Sequence, residues 1–270
     1  MNLNTIVEVK RPKSFEEIEW RDGHAFLGGG TWLFSELQVN TDTLVDLQQF
    51  GWAPLTVTPA GLEIAATCRI VELHDFKGPP EWQAVPLFGK CIDAFLMSFK
   101  IWNAATVGGN VVMSLPAGAM VSLTAALEGV CTLWPQSGKP RQVPVVDFVT
   151  GMHTNVLQKG ELLRSILLPA LALKKRFAMR QVSLTRFGRS AALIVATVND
   201  DGSDFLLTVS AATPRPVHLR FEKIPSSSEM HGAIDARLPP DSWFHDVHGS
   251  APYKRHVTFY LAEQVRAELS

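Results

Sequence analysis

The chain has 270 residues, 46% apolar and 19% charged, with a formal net charge of −1. That is a globular composition, long enough for two domains or one large one. Its balanced charge excludes an electrostatic grip on DNA, RNA or an anionic membrane. Largely apolar runs such as AALIVATV stop at eight residues, whereas a bilayer span takes roughly 20. The start, MNLNTIVEVKRPKS, has no apolar signal core, so the expected location is the cytoplasm.

In chain order, SFEEIEW opens with Ser14 and carries Glu17 three residues on, a capping-box pattern that predicts a short helix. HAFLGGG reads as a buried strand running into a turn, TWLFSELQV as a helical turn or short helix, and TLVDLQQF as the next strand. LTVTPAGLEIAAT predicts two alternating strands around a Pro-Ala-Gly turn. VPLFGKCIDAFLMSF is a helical stretch with an apolar stripe, and a second glycine cluster, NAATVGGNVV, follows it. MVSLTAALEG is a helix, and VCTLW with RQVPVVDF form a strand, turn and strand around PQSGKP. A boundary falls near TNVLQKGE, residues 154–161. Beyond it, ELLRSILLP, RFAMRQVSLTR, SAALIVATV and DFLLTVSAA read as successive strands, the third being a strand or a helix. SAPYKRHVTFYLAEQVRAEL closes the chain as an amphipathic helix. The expected organisation is two domains, 1–155 and 156–270, the first split into lobes of about 1–54 and 55–155.

Resident metal chemistry has no ligand set here. Cys68, Cys91 and Cys131 lie more than 20 residues apart, form no CxxC pair, and number fewer than the four thiolates of an ordinary iron–sulfur cluster. They read as reduced, buried structural thiols. His245 and His248 in HDVH lack the glutamate of a zinc-binding HExxH pattern and read as a surface loop. Asp147 and Glu128, the carboxylates nearest the glycine motifs, are explained by solvent exposure or capping.

The two glycine clusters carry the chemistry. Leu27, Gly28, Gly29, Gly30, Thr31 and Trp32 form the first; Thr106, Val107, Gly108, Gly109 and Asn110 form the second. GGGT matches neither GxGxxG nor the phosphate loop GxxxxGK[ST], and alone is equally a flexible turn. Two such clusters, each after an apolar stretch, suit an anion held by backbone N–H groups from two loops. Thr31 and Thr106 add hydroxyls, and Asn110 an amide that both donates and accepts.

Together these stretches resemble the FAD subunits of molybdenum hydroxylases, the xanthine dehydrogenase and carbon monoxide dehydrogenase group. FLGGGTWLFSEL is similar to that family's first glycine loop and IWNAATVGGNVVMSLPAGAM to its second. GELLRSILLP and GSAPYKRHVTFYLAEQVRAEL resemble later segments, so the likeness covers nearly the whole chain. It implies an α+β protein: a two-lobed FAD-binding domain of the vanillyl-alcohol-oxidase type, followed by a C-terminal domain with a three-stranded antiparallel sheet and helices. It implies that both loops grip the FAD pyrophosphate, that Leu163 lies near the flavin or adenine end, and that Arg180 stands where the family often has a lysine near the flavin ring. An ordinary strand role is the alternative for Leu163 and Arg180. Three positions depart from the pattern. Ala119 replaces an aspartate that helps hold the cofactor, leaving one hydrogen bond to water or to a neighbour such as Ser114. Trp32 follows the glycine loop where the family has a polar residue, and Trp102 replaces an arginine; each tryptophan packs or shields the flavin.

The implied function is electron transfer. A molybdenum-containing large subunit hydroxylates the substrate, [2Fe–2S] clusters on a small subunit carry electrons, and FAD here passes them to NAD+, oxygen or another acceptor. The alternatives are a degenerate scaffold that has lost FAD and a stand-alone flavin oxidoreductase of the same wider fold. No acid, base or nucleophile is assigned in this chain, since the flavin carries the chemistry.

Overall fold

The computed structural model describes residues 3–95 and 97–270. The first lobe is a parallel sheet of Glu8–Lys10 (β1), His24–Leu27 (β2) and Thr43–Asp46 (β3), with β3 between the other two. Thr43, Leu44 and Val45 are buried, as a central strand requires. The crossover from β2 to β3 was expected to include a helix at TWLFSELQV, but it is a run of turns, tied by Phe34 N–H to the Gly30 carbonyl at 2.8 Å. Three glycines lead into it and it buries no apolar stripe, so helix nucleation is not offset. SFEEIEW likewise yields only a 3-10 turn, Phe15–Glu17, and the Ser14 hydroxyl caps nothing. TLVDLQQF is a strand for four residues; the Asp46 side chain then accepts the Gln48 N–H at 3.0 Å and caps a 3-10 turn, Leu47–Phe50.

The second lobe begins with the hairpin Leu55–Thr58 (β4) and Gly61–Ala65 (β5) around the Pro-Ala-Gly turn. Five helices follow: Ile70–His74 (α1), Pro86–Ala94 (α2), Phe99–Trp102 (α3), Val107–Val112 (α4) and Ala119–Ala126 (α5). All residues of α5 are buried, and none is charged; its two hydroxyls, on Ser122 and Thr124, donate to the Gly118 and Met120 carbonyls. Val130–Trp134 (β6), Arg141–Pro144 (β7), Val145–Phe148 (α6) and the small hairpin Val149–Gly151 (β8) with Thr154–Asn155 (β9) come next. Leu162–Pro169 (β10) then returns to the sheet, pairing antiparallel with both β5 and β6 in the order β4-β5-β10-β6-β7. The second lobe's sheet therefore continues past residue 155 to Pro169, and its central strand comes from beyond the expected boundary. The apolar pattern of ELLRSILLP specifies a strand, but not which strands receive it.

Ala170–Lys174 (α7) leads into the C-terminal sheet. It is a four-stranded meander, Arg176–Val182 (β11), Ala192–Val198 (β12), Ser203–Ser210 (β13) and Val217–Lys223 (β14), not the three strands expected. The fourth, VHLRFEK, alternates apolar and polar residues, as a half-buried edge strand does. SAALIVATV resolves as strand β12, every residue of which is buried. Its residues alternate between two cores: Leu193 and Val195 join the core of the second lobe, which includes α5, while Ile194 and Ala196 join the core made with Ser227–Arg237 (α8) and Ala251–Leu269 (α9). A capping box, Ser226 with Glu229, opens α8.

Glu128 is half-buried and ion-paired rather than a cap. The Lys175 ammonium, 3% exposed, sits 2.9 Å from its Oε1 and 2.7 Å from Asp204 Oδ2, and Arg220 pairs with the same two carboxylates. This four-charge cluster joins the second lobe to the C-terminal sheet. Among the described residues no helix is long and apolar enough to cross a membrane.

Candidate functional site

The first glycine cluster lies where β2 ends, and the second opens α4. Thr106 is the N-cap of α4, its Oγ1 accepting the Gly109 N–H at 3.1 Å, as a local Thr-x-x pattern dictates. The clusters pack against each other. A Cβ on Gly28 would stand 2.8 Å from Thr106 Oγ1, and one on Gly29 would stand 1.8 Å from the Ala104 carbonyl oxygen. Gly30 has φ +71°, where a side chain would also meet the Phe34 ring. On the other side of the second cluster, a Cβ on Gly108 would lie 2.5 Å from that of Ala66. The backbone is bare largely because the two loops touch.

Where they meet, a cavity of about 420 Å³ opens. Gly28, Gly29, Gly30, Thr31 and Trp32 line one side, and Thr106, Gly109 and Asn110 the other; Phe26, Phe95, Met97 and Ile101 add an apolar wall. Among the described residues, the backbone N–H groups of Gly29 through Leu33 have no hydrogen-bond acceptor. Successive unpaired N–H groups in a glycine-containing turn form an anion-binding concavity. The second loop differs. Its Val107 N–H donates to the Cys68 carbonyl at 2.8 Å, and Gly108 N–H to the Ala66 carbonyl at 3.1 Å. Gly109 and Asn110 donate to Thr106. That loop offers shape and side chains: Asn110 Oδ1 accepts the Met120 N–H at 3.0 Å, and its amide nitrogen is left for the cavity.

A second chamber of about 430 Å³ adjoins the first. Trp32, Phe95, Leu115 and Arg189 line both. The second chamber adds Met152, His153 and the loop carrying Phe244, His245, Asp246 and His248. HDVH is thus a loop, as expected, and one that faces this chamber. Asp246 is held there by Lys254, a fully buried ammonium 2.9 Å from Asp246 Oδ1 that also donates to the Ala211 carbonyl at 3.2 Å. Trp32 packs on His153 with ring centroids 5.3 Å apart, so it forms part of the wall where the chambers meet.

Arg189 is the one charged side chain lining the glycine-loop cavity, and no ion pair holds it, among the described residues. Sequence reasoning missed it. The polar turn-rich stretch SLTRFGRS carries no motif, and only the fold brings it beside residues 28–32.

Five expected positions lie off the cavity. Leu27 is the last residue of β2, while Val107 and Gly108 are buried in the first turn of α4. Leu163 is 2% exposed and sits in the second-lobe core, opposite Leu133. Arg180 lies on β11 with Nη2 2.6 Å from Glu268 Oε2 on α9. Ala119 is buried at the start of α5, and Ser114, expected as a neighbour able to replace the lost carboxylate, already donates to the Val111 and Val112 carbonyls at 3.2 Å each. Trp102 packs on His74 with centroids 4.9 Å apart; its buried Nε1 has no partner among the described residues.

The fold is shared with chains of solved oxidoreductase structures. The chain is similar to a chain of quinoline 2-oxidoreductase from Pseudomonas putida 86, with TM-score 0.78 and 18% identity, covering 97% of this chain and 96% of that one. It is similar to carbon monoxide dehydrogenase from Hydrogenophaga pseudoflava, with TM-score 0.79, 19% identity and 96% of each chain covered. A third match, CO dehydrogenase from Oligotropha carboxidovorans, has TM-score 0.78 and 18% identity, covering 96% of this chain and 97% of that one. No curated protein sequence matches. The model of the FAD binding domain in molybdopterin dehydrogenase matches residues 6–171, which contain both glycine loops and the whole second-lobe sheet, so the chain belongs to this FAD-binding family and its cofactor is FAD.

Proposed function

We propose that this chain is the FAD subunit of a heteromeric molybdenum hydroxylase, partnered by a molybdenum-cofactor large subunit and a [2Fe–2S] small subunit. The observation that carries the reading is the row of N–H groups from Gly29 to Leu33, unpaired among the described residues, in the wall of a cavity that a second glycine loop also lines. The FAD-binding part extends through β10, with the rest forming a C-terminal α+β domain.

The residues fit the cofactor. The N–H groups of residues 29–33 and the Thr31 hydroxyl are placed to bind the pyrophosphate, whose charge Arg189 offsets. The Asn110 amide donates from the opposite loop. Gly28, Gly30, Trp32, Thr106 and Gly109 shape the walls, while Leu27, Val107 and Gly108 hold the loops in place from behind. Leu163 and Arg180 act through the framework, in the core and through Glu268. A dinucleotide has two ends, and the adjoining chamber behind Trp32 and Phe95 supplies room for one of them. When bound, FAD takes up and releases electrons singly or in pairs, which suits delivery from [2Fe–2S] clusters to NAD+, oxygen or another acceptor. The apolar wall of Phe26, Phe95, Met97 and Ile101 would keep water away from the bound cofactor.

The test is the absorption spectrum of the purified chain, with heat release of any chromophore. Bands near ~370 and ~450 nm, and FAD freed on denaturation, are expected from the cofactor's own chemistry. A chain that stays colourless after incubation with excess FAD would overturn the reading and favour a scaffold that has lost its cofactor. Copurification with subunits containing molybdenum and iron–sulfur centres tests the assembly.

A further inference from the structure

A third, smaller cavity lies on the C-terminal side of the molecule, away from the glycine loops. Its volume is about 200 Å³, and Thr150, Arg215, Arg237 and Ser242 stand around a floor of Val217 and Leu238. Thr150 comes from β8, Arg215 from the connection between β13 and β14, and Arg237 from the last turn of α8.

The charge pattern singles this cavity out. Of the fourteen arginines in the sequence, ten are ion-paired with Asp or Glu. Among the described residues, the four without such a partner are Arg186, Arg189, Arg215 and Arg237. Arg189 is used at the FAD cavity. Arg186 lies three residues earlier, its guanidinium 5.4 Å from the Phe187 ring centroid. The other two line one small concavity that has no carboxylate in its wall. Two guanidinium groups sharing a concavity with no counter-charge repel each other, and a bound anion relieves that repulsion.

The site has donors and a fixed frame. The hydroxyls of Thr150 and Ser242 have no hydrogen-bond partner among the described residues and are available beside the two guanidinium forks. Thr213, also in the wall and 1% exposed, donates its hydroxyl to the Arg215 carbonyl at 2.7 Å, which fixes the backbone presenting Arg215. Arginine forks match the paired oxygens of phosphoryl groups, and hydroxyls complete the shell.

We propose that this cavity binds a phosphoryl anion, either free inorganic phosphate or the phosphate of a small ester. The assignment is independent of FAD, because none of the residues that line this cavity lines the glycine-loop cavity. Thr150 lies two residues from Met152, and Ser242 two residues from Phe244, and both Met152 and Phe244 line the chamber adjoining the FAD site.

The test is calorimetric titration of the full chain, pre-saturated with FAD so that the glycine loops are filled, with inorganic phosphate and separately with adenosine monophosphate at low ionic strength. Saturable one-site binding of phosphate is expected. Arg215→Gln and Arg237→Gln should each weaken it about tenfold, the worth of one charge-assisted contact, and Arg186→Gln should leave it unchanged. Equal affinity for both ligands assigns the site to the bare anion, and tighter binding of the monophosphate assigns it to an ester; either supports the proposal. No saturable binding, or binding that survives both Arg215→Gln and Arg237→Gln, would overturn it. Thermal melts of the variants identify any that fail to fold. If either does, Arg215→Lys and Arg237→Lys take its place, with weakened but measurable binding expected.

Discussion

Gly29→Ala is the sharpest test of how the FAD site is built. The added Cβ would sit 1.8 Å from the Ala104 carbonyl oxygen and 2.7 Å from its carbon, about 1.2 Å short of the 3.0 Å separation that real Cβ atoms keep. Both obstacles are backbone, so no rotamer change relieves them; the loops must part by more than 1 Å. Hydrogen bonds tolerate little of that displacement, and at least two of the contacts from residues 29–33 to the pyrophosphate should be lost. Each charge-assisted bond is worth about 1.5–3 kcal/mol, so two come to about 3–6 kcal/mol, or roughly 10²- to 10⁴-fold in Kd. Quenching of flavin fluorescence on titrating FAD with the apoprotein measures this. Gly232→Ala, at a helical position where a Cβ would meet nothing within 4 Å, should bind FAD like the parent and controls for general effects. If Gly29→Ala also binds within threefold of the parent, the loop-contact argument is refuted.

Other expectations follow from single contacts. Arg189→Ala should weaken FAD binding a few-fold and flatten its dependence on salt, because an exposed cation acts through screened attraction; titrations at low and high ionic strength check this. Asp246→Asn leaves the fully buried Lys254 without its charged partner and should cost about 3–5 kcal/mol of stability, measurable by urea unfolding, whereas Lys254→Met should cost less. His24 is buried with neither ring nitrogen hydrogen-bonded among the described residues, and burial, helped by the charges of Arg21 and Lys10, holds its pKa below the ordinary 6.5. The folded chain thus keeps His24 neutral where the unfolded chain protonates it, so its contribution is complete above that ordinary value and declines as pH falls through it. His24→Phe should reduce that acid-side slope in thermal melts run across the interval. Burial pushes the thiols of Cys68, Cys91 and Cys131 up to about 12, so a thiol reagent at neutral pH should find them unreactive until the chain is unfolded.

The sequence by itself determined what local pattern can specify. The Pro-Ala-Gly hairpin of β4 and β5 and the final helix α9 both follow from spacing within a few residues. The two glycine clusters were legible as a pair, and eight of their eleven residues line one cavity. Tertiary structure alone decided pairings across long separations. β10 reads as a strand anywhere, but its place between β5 and β6 depends on partners about 100 and 30 residues away. That register carries the second lobe past residue 155. Arg189 enters the site for the same reason, because no periodicity links residue 189 to residues 28–32. Arg180 stands instead against Glu268, a contact made only when α9 packs on β11. Glycine near glycine signalled a bare backbone. Only the packed loops revealed that Gly29 is bare to admit the Ala104 carbonyl, leaving the neighbouring N–H groups free to meet an anion.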